Sequence, residues 1–313
     1  MNGTNDRHED SPGRIQTGWR LRARSLELGR RTLVMGVVNI TPDSFSDGGR
    51  FIRTDAAVAH GLRLLDEGAD LLDLGAESTR PGSQAGHTSP AVGAEEEQAR
   101  LLPVIEGILT ERPDAILSAD TYKSVTARAA LDAGAEIVND VSGFSWDKRM
   151  AGVCAAVGCG VILMHTRGRP DEWKTQPMLR PDEVLATVRD GLEASVKTAI
   201  QTGVLRESIV LDPGYGFGKR HDENFTLLAR QAELLALGRP LLAGLSRKSF
   251  LGYKLAPLYG SEAAPLQSRE TASVAALVAA IFNGASIVRV HDARPAVEAA
   301  RIADAVLDAQ YPA

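Results

Sequence analysis

Eight short apolar runs alternate with eight longer segments of helical period, and no other feature of this 313-residue chain limits its fold so tightly. The strand-like runs occupy 32–40, 69–76, 115–120, 136–142, 160–166, 209–214, 241–246 and 286–292. Helical patterns lie between and after them at 54–68, 94–111, 122–133, 147–158, 180–203, 222–236, 268–283 and 293–309. Gly68, Gly134, Gly158, Gly203, Gly238 and Gly284 stand where a glycine in the left-handed conformation ends a helix and returns the chain to a strand. Eight βα units in about 280 residues predict an α/β protein with a single (β/α)8 TIM barrel over 32–313, in preference to an open doubly wound sheet. Residues 14–31 alternate partly at period two and predict an N-terminal hairpin plugging the amino-terminal end of the barrel. The polar, mixed-charge stretch 1–13 reads as a disordered leader.

Composition removes several functional classes. A hydrophobic content of 44% is enough for a core of ordinary size. With 35 Lys and Arg against 40 Asp and Glu, the net charge of −5 offers no field for nucleic acid or an anionic membrane. Small-molecule substrates are therefore expected. No segment has the ~20 apolar residues a bilayer crossing requires. The two cysteines, Cys154 and Cys159, have no neighbouring His or second Cys pair to complete a metal site, and read as reduced, buried thiols of a cytoplasmic protein.

Chemistry in a barrel of this kind gathers where the strands end. The first strand stops at Asn39 and spills into Thr-Pro-Asp-Ser-Phe-Ser-Asp-Gly-Gly, an acidic loop that a core strand does not need. The second runs into Glu77-Ser-Thr-Arg-Pro-Gly, the third ends at Asp120, and the fourth carries Asn139 and Asp140. Met164-His165, Asp212, Ser246-Arg-Lys-Ser249 and the pair Arg289 and His291 finish the other four. Any one of these could be a turn or cap residue, but polar groups at every rim position are hard to explain that way. Arg289 and His291 are two apart on one strand, so both point to one face and form a donor set suited to phosphate oxygens. Lys248 and Ser249, at the start of a following loop or helix, add to that positive field. The competing reading has Arg289 paired with Asp292 or a rim carboxylate. Asp120, Asn139 and Asp212 converge from separate strands in a site lined by Met164 and Phe217. They suit a flat heterocycle with several N–H groups, because a carboxylate accepts two parallel hydrogen bonds from a 2-aminopyrimidinone edge. A metal on the same carboxylates is a weaker reading.

Seven segments, in order and spacing, are similar to one family. They are Asn39-Ile-Thr-Pro-Asp-Ser-Phe-Ser-Asp-Gly-Gly, Glu77-Ser-Thr-Arg-Pro-Gly, Asp120-Thr-Tyr-Lys, Ile137-Val-Asn-Asp, Leu211-Asp-Pro-Gly-Tyr-Gly-Phe-Gly-Lys, Leu245-Ser-Arg-Lys-Ser and Val288-Arg-Val-His. Across nearly all of 32–292 the chain resembles the dihydropteroate synthases of the pterin-binding family. The resemblance implies a transferase that joins 4-aminobenzoate to (7,8-dihydropterin-6-yl)methyl diphosphate by dissociative substitution, giving 7,8-dihydropteroate and diphosphate. It implies that Asp120, Asn139, Asp212 and Lys248 hold the pterin, while Asn39, Arg289 and His291, with Mg2+ on Asn39, hold the diphosphate. Thr79, Arg80, Ser246 and Ser249 would border the aminobenzoate, with Asp120, Lys248, Arg289 and His291 as the catalytic set and Asp43 adding negative field. Loops 41–53 and 80–93 would close over the mouth, and two copies would pair through late barrel helices as a homodimer. The chain departs from the family pattern after His165, where it continues Thr-Arg-Gly-Arg-Pro-Asp-Glu-Trp-Lys. Two other readings share the barrel: a corrinoid methyltransferase using methyltetrahydrofolate, and a non-catalytic pterin-binding protein.

Overall fold

The computed structural model describes residues 14–40, 50–79, 82–87 and 92–310, with the side chains of 50–53 left aside. Expectations for the leader 1–13, Asp43, Arg80 and much of the two mouth loops fall outside the described residues.

The eight strand-like runs become the eight parallel strands of a closed barrel. They are β3 (Leu33–Asn39), β4 (Leu71–Gly75), β5 (Leu117–Asp120), β6 (Ile137–Asp140), β7 (Gly160–Met164), β8 (Ile209–Asp212), β9 (Leu241–Ala243) and β10 (Ala285–Val290). Each pairs with the next in the chain, and β10 closes the ring by pairing with β3. Around them run α1 (Arg50–Asp66), α2 (Ala94–Glu111), α3 (Ser124–Asp132), α4 (Met150–Val157), α5 (Pro181–Thr202), α6 (His221–Ala229), α7 (Ser249–Tyr259), α8 (Glu270–Phe282) and α9 (Ala293–Gln310). All six glycines expected to stop helices have positive φ; Gly158 and Gly203 cap α4 and α5 in the left-handed conformation.

Two helical expectations change. The single helix expected over 222–236 is divided into α6 and a 3-10 segment, Gln231–Leu237. α7 was expected only as a loop or helix beginning at Lys248 and Ser249: Gly252 and Pro257 interrupt its pattern, yet the apolar Phe250 and Leu251 are buried and hold it against the barrel.

Strand alternation divides the barrel interior into two levels. Leu33, Met35, Leu71, Ile137, Ile162, Val210, Leu242 and Ile287 form one inward-facing apolar cluster. The side chains two positions further on point the same way one level higher, and there the sequence turns polar: Asp73, Asn139, Asp212 and Arg289, with Met164. β1 (Thr17–Arg20) and β2 (Ser25–Leu28) pair antiparallel, and Trp19, Leu28 and the intervening Leu21 join the lower apolar cluster. The Trp19 indole N–H donates to the Ser208 carbonyl at 2.9 Å, and a Cβ on Gly160 would lie 2.6 Å from Leu21 Cδ2. Gly160 therefore opens the room the hairpin needs at the foot of β7. Ion pairs Arg14–Asp304 and Arg24–Glu136, at 2.8 and 2.9 Å, fasten the same segment to α9 and to the start of β6. Cys154 and Cys159 are buried free thiols, and their mutual hydrogen bond together with burial holds the Cys154 thiol well above its ordinary pKa. Among the described residues no helix is long and apolar enough to cross a membrane.

Candidate active site at the barrel mouth

Arg289 organises the polar level. Its Nε donates to Asp73 Oδ2 at 2.5 Å and its Nη2 to Asp120 Oδ2 at 2.6 Å. The Asn139 amide donates to the same Asp73 oxygen at 2.9 Å. Four strands thus contribute to one network, β4, β5, β6 and β10, brought within reach by the register that sets Asp120 opposite Asn139. Burial opposes the Arg289 charge, but Asp73 and Asp120 outweigh it and hold the guanidinium above its ordinary pKa. Burial and the Asp73 charge push the Asp120 carboxyl up to about 7 in spite of Arg289.

Asp73 was absent from the candidate set. It is fully buried, and its second oxygen has no partner among the described residues. A signal did exist: an aspartate stands inside Leu-Leu-Asp-Leu-Gly, two positions after an inward-facing leucine, where burial demands a cationic partner. The rim-carboxylate alternative for Arg289 is therefore realised, through Asp120 as well as Asp73. Asp292 belongs to Arg247, whose guanidinium contacts both of its oxygens at 2.7 to 3.1 Å.

The other half of the mouth is cationic. Lys248 caps α7, and its ammonium sits 4.0 Å from the centre of the Phe217 ring. Burial and the neighbouring Arg289 push its pKa down to about 8, with Asp212 and Asp120 restraining the fall. Asp212 Oδ1 accepts the Gly214 N–H at 2.7 Å, while burial raises the carboxyl above its usual range. Ser246 Oγ lies 3.0 Å from His291 Nδ1 and accepts the His291 N–H at 3.3 Å, joining the ends of the last two strands. Ser249 opens α7 and is exposed; Asn39 and Thr79 are half-buried at the ends of β3 and beyond β4. Met164 packs in a small apolar cluster with Ala85, Tyr122 and Val141, against which Phe217 rests. Trp173, in the divergent stretch after His165, meets Phe217 edge to face at 5.0 Å, which gives that stretch a contact with the site.

Three rim residues serve other purposes. Asp140 is buried and accepts Ser142 N–H, Ser142 Oγ–H and Phe144 N–H at 2.8 to 3.0 Å, so it builds its own loop. His165 packs its ring against Gly191 of α5, and burial keeps it neutral. Glu77 is paired with Lys123, which also meets Glu97 of α2 at 3.1 Å; this buried group ties the loop after β4 to the start of α3. Among the described residues no cluster of three or more His, Cys, Asp or Glu side chains could hold a metal.

The chain matches the model of the pterin binding enzyme family over residues 35–291. It is 43% identical over 282 residues to a dihydropteroate synthase of Mycobacterium leprae, covering 88% of this chain and 94% of that protein. The chain belongs to the dihydropteroate synthase family. Solved structures of the family agree. The synthase of Xanthomonas albilineans with 4-aminobenzoic acid superposes with a TM-score of 0.81 at 41% identity, covering 93% of this chain and 98% of that one. The same organism's synthase in complex with 7,8-dihydropteroate gives 0.78 at 39%, covering 92% and 98%. The corrinoid alternative has no support in these synthase matches.

Proposed function

We infer that this chain condenses 4-aminobenzoate with (7,8-dihydropterin-6-yl)methyl diphosphate to give 7,8-dihydropteroate and diphosphate. The observation that carries the chemistry is the single network joining Arg289, Asp73, Asp120 and Asn139 beside Lys248 and Asp212. The Asp120 and Asp212 carboxylates suit a guanidine-like ring edge, and the Arg289 guanidinium suits a polyanionic leaving group.

In this reading Asp120, Asn139, Asp212 and Lys248 would hold the pterin, with Met164 and Phe217 against its faces. Arg289 and His291 would hold the diphosphate. Thr79, Arg80, Ser246 and Ser249 would border the aminobenzoate, whose carboxylate suits hydroxyls and the amides that open α7. The C–O bond at the pterin methylene breaks with its electron pair leaving on diphosphate. The amine nitrogen then forms the C–N bond and gives up a proton. Asp120 and Asp212 would stabilise the cationic methylene between those events, which a weakly basic arylamine can capture without a strong general base. Asn39 would offer one neutral amide oxygen to Mg2+, a cation that keeps several waters and takes other ligands from substrate phosphates. Bound there, the metal would neutralise charge on the departing diphosphate.

We further propose a cytoplasmic homodimer whose contact uses late barrel helices. Leu258 on α7 and Ile302 on α9 support it, being 79% and 70% exposed although large and apolar. The decisive assay mixes the chain with both substrates and Mg2+ and follows diphosphate. Pterin binding without diphosphate release would leave a binding protein in place of a synthase.

A further inference from the structure

Lys219 lies among three backbone carbonyls beneath the mouth, outside the network just described. Its ammonium donates to Gly214 O at 2.7 Å, His165 O at 3.2 Å and Phe217 O at 3.3 Å. The residue is 6% exposed, so its charge is satisfied almost wholly from within the protein. Each of the three carbonyls adjoins a side chain of the heterocycle pocket. Gly214 donates its own N–H to Asp212, His165 follows Met164, and Phe217 carries the ring under Lys248.

Gly214, Gly216 and Gly218 all have positive φ, so the loop's path past the buried Tyr215 and the half-buried Phe217 is fixed by backbone contacts at three positions that carry no side chain. Asn224 of α6 supplies the second hold: its Oδ1 accepts the Gly216 N–H at 2.7 Å and its amide donates to the Lys219 carbonyl at 3.1 Å. Burial pushes the Lys219 pKa down to about 7; Asp212 and Glu223 support the charge, while Lys248 and Arg167 oppose it.

We propose that Lys219 is the positioning residue of the heterocycle pocket. Its ammonium fixes the 212–218 loop to the end of β7 and so sets the placement of Asp212, Phe217 and Met164. The proposal rests on the synthase reading only for which ligand fills that pocket.

The test uses the full chain with Lys219→Met and Lys219→Ala, and follows diphosphate release together with direct binding of a dihydropterin. Diphosphate release by the unsubstituted protein checks the synthase reading separately. Lys219→Met is expected to raise the KM for the pterin diphosphate and the pterin Kd about tenfold or more, as loss of a charge-assisted set of hydrogen bonds implies. The aminobenzoate KM at saturating pterin should stay within about twofold. Ammonium ion, which fits a carbonyl cage, should restore pterin binding to Lys219→Ala, whereas sodium at the same ionic strength should not. Should Lys219→Met fail to fold, Lys219→Gln, which keeps two N–H donors without the charge, carries the same comparison. Equal loss in both KM values, or a lowered melting temperature with pterin binding unchanged, would overturn the proposal.

Discussion

Asp73 and Arg289 are 216 residues apart in the chain and meet at 2.5 Å across the barrel mouth. Their strands, β4 and β10, both flank β3, so closure of the ring makes the pair. Asp73 has no route to solvent and depends on Arg289 and Asn139 for its charge.

Asp73→Asn should therefore act on catalysis through its neighbours. The amide oxygen can still accept from Arg289 and Asn139, but the buried guanidinium loses the Asp73 charge, and kcat/KM should fall by about 10²-fold, the scale for unpairing a buried charge. Removing the Asp73 charge also removes one cause of the raised Asp120 pKa, so the acid limb of the pH profile should move to lower pH. An unmoved limb would separate the two carboxylates.

Arg289→Ala leaves Asp73 and Asp120 side by side without their cation. Turnover should drop by orders of magnitude. Stability should depend on pH in a specific sense, because carboxyls whose folded pKa is raised contribute stability at low pH and lose it as pH rises through that value. The variant should be destabilised by about 3–5 kcal/mol at pH 8 and by clearly less at pH 5, read by denaturant unfolding. Asp120→Asn should likewise abolish most turnover while the fold survives.

The unsubstituted chain should give a bell-shaped profile. Activity needs Asp120 ionised, with burial and then Asp73, Arg289, Glu97 and Asp140 setting its pKa near 7, and Lys248 protonated, with burial and then Arg289, Asp212 and Asp120 setting its pKa near 8. kcat/KM should fall on the acid side as Asp120 is protonated below about 7, and on the alkaline side as Lys219, near 7, and Lys248, near 8, lose their protons, leaving a narrow maximum. A flat profile from pH 6 to pH 9 would remove both assignments.

Gly214→Ala should be poorly tolerated. A Cβ there would lie 2.0 Å from the His165 carbonyl oxygen, and φ is +70°. The expected cost is at least about 2 kcal/mol in thermal or denaturant unfolding, together with weakened pterin binding.

The barrel was legible because its signals are local: β-branched runs, helical period, and a glycine at six of the helix stops. α7 was legible only at its start, since burial of Phe250 and Leu251 overrides what Gly252 and Pro257 announce. Asp120, Asn139, Asp212, Lys248 and Arg289 stood out as polar residues at or near strand ends, and they do meet. Asp140 and His165 stood out equally but face elsewhere, because strand alternation sends neighbouring residues to opposite sides. Asp73 was hidden inside an apolar strand, where only closure of the ring identifies its partner.

The fastening of the hairpin bears on the order in which this protein can be assembled. Trp19 must wait for the carbonyl of Ser208, and Arg14 for Asp304, so the earliest described residues find their partners only after most of the chain, and for Arg14 nearly all of it, has left the ribosome. Until residue 208 has emerged the Trp19 indole lacks its acceptor, and the floor is incomplete. A nascent chain halted before α9 would carry a complete set of catalytic side chains and the Trp19 plug, yet would lack the Asp304 anchor for Arg14 and Thr32.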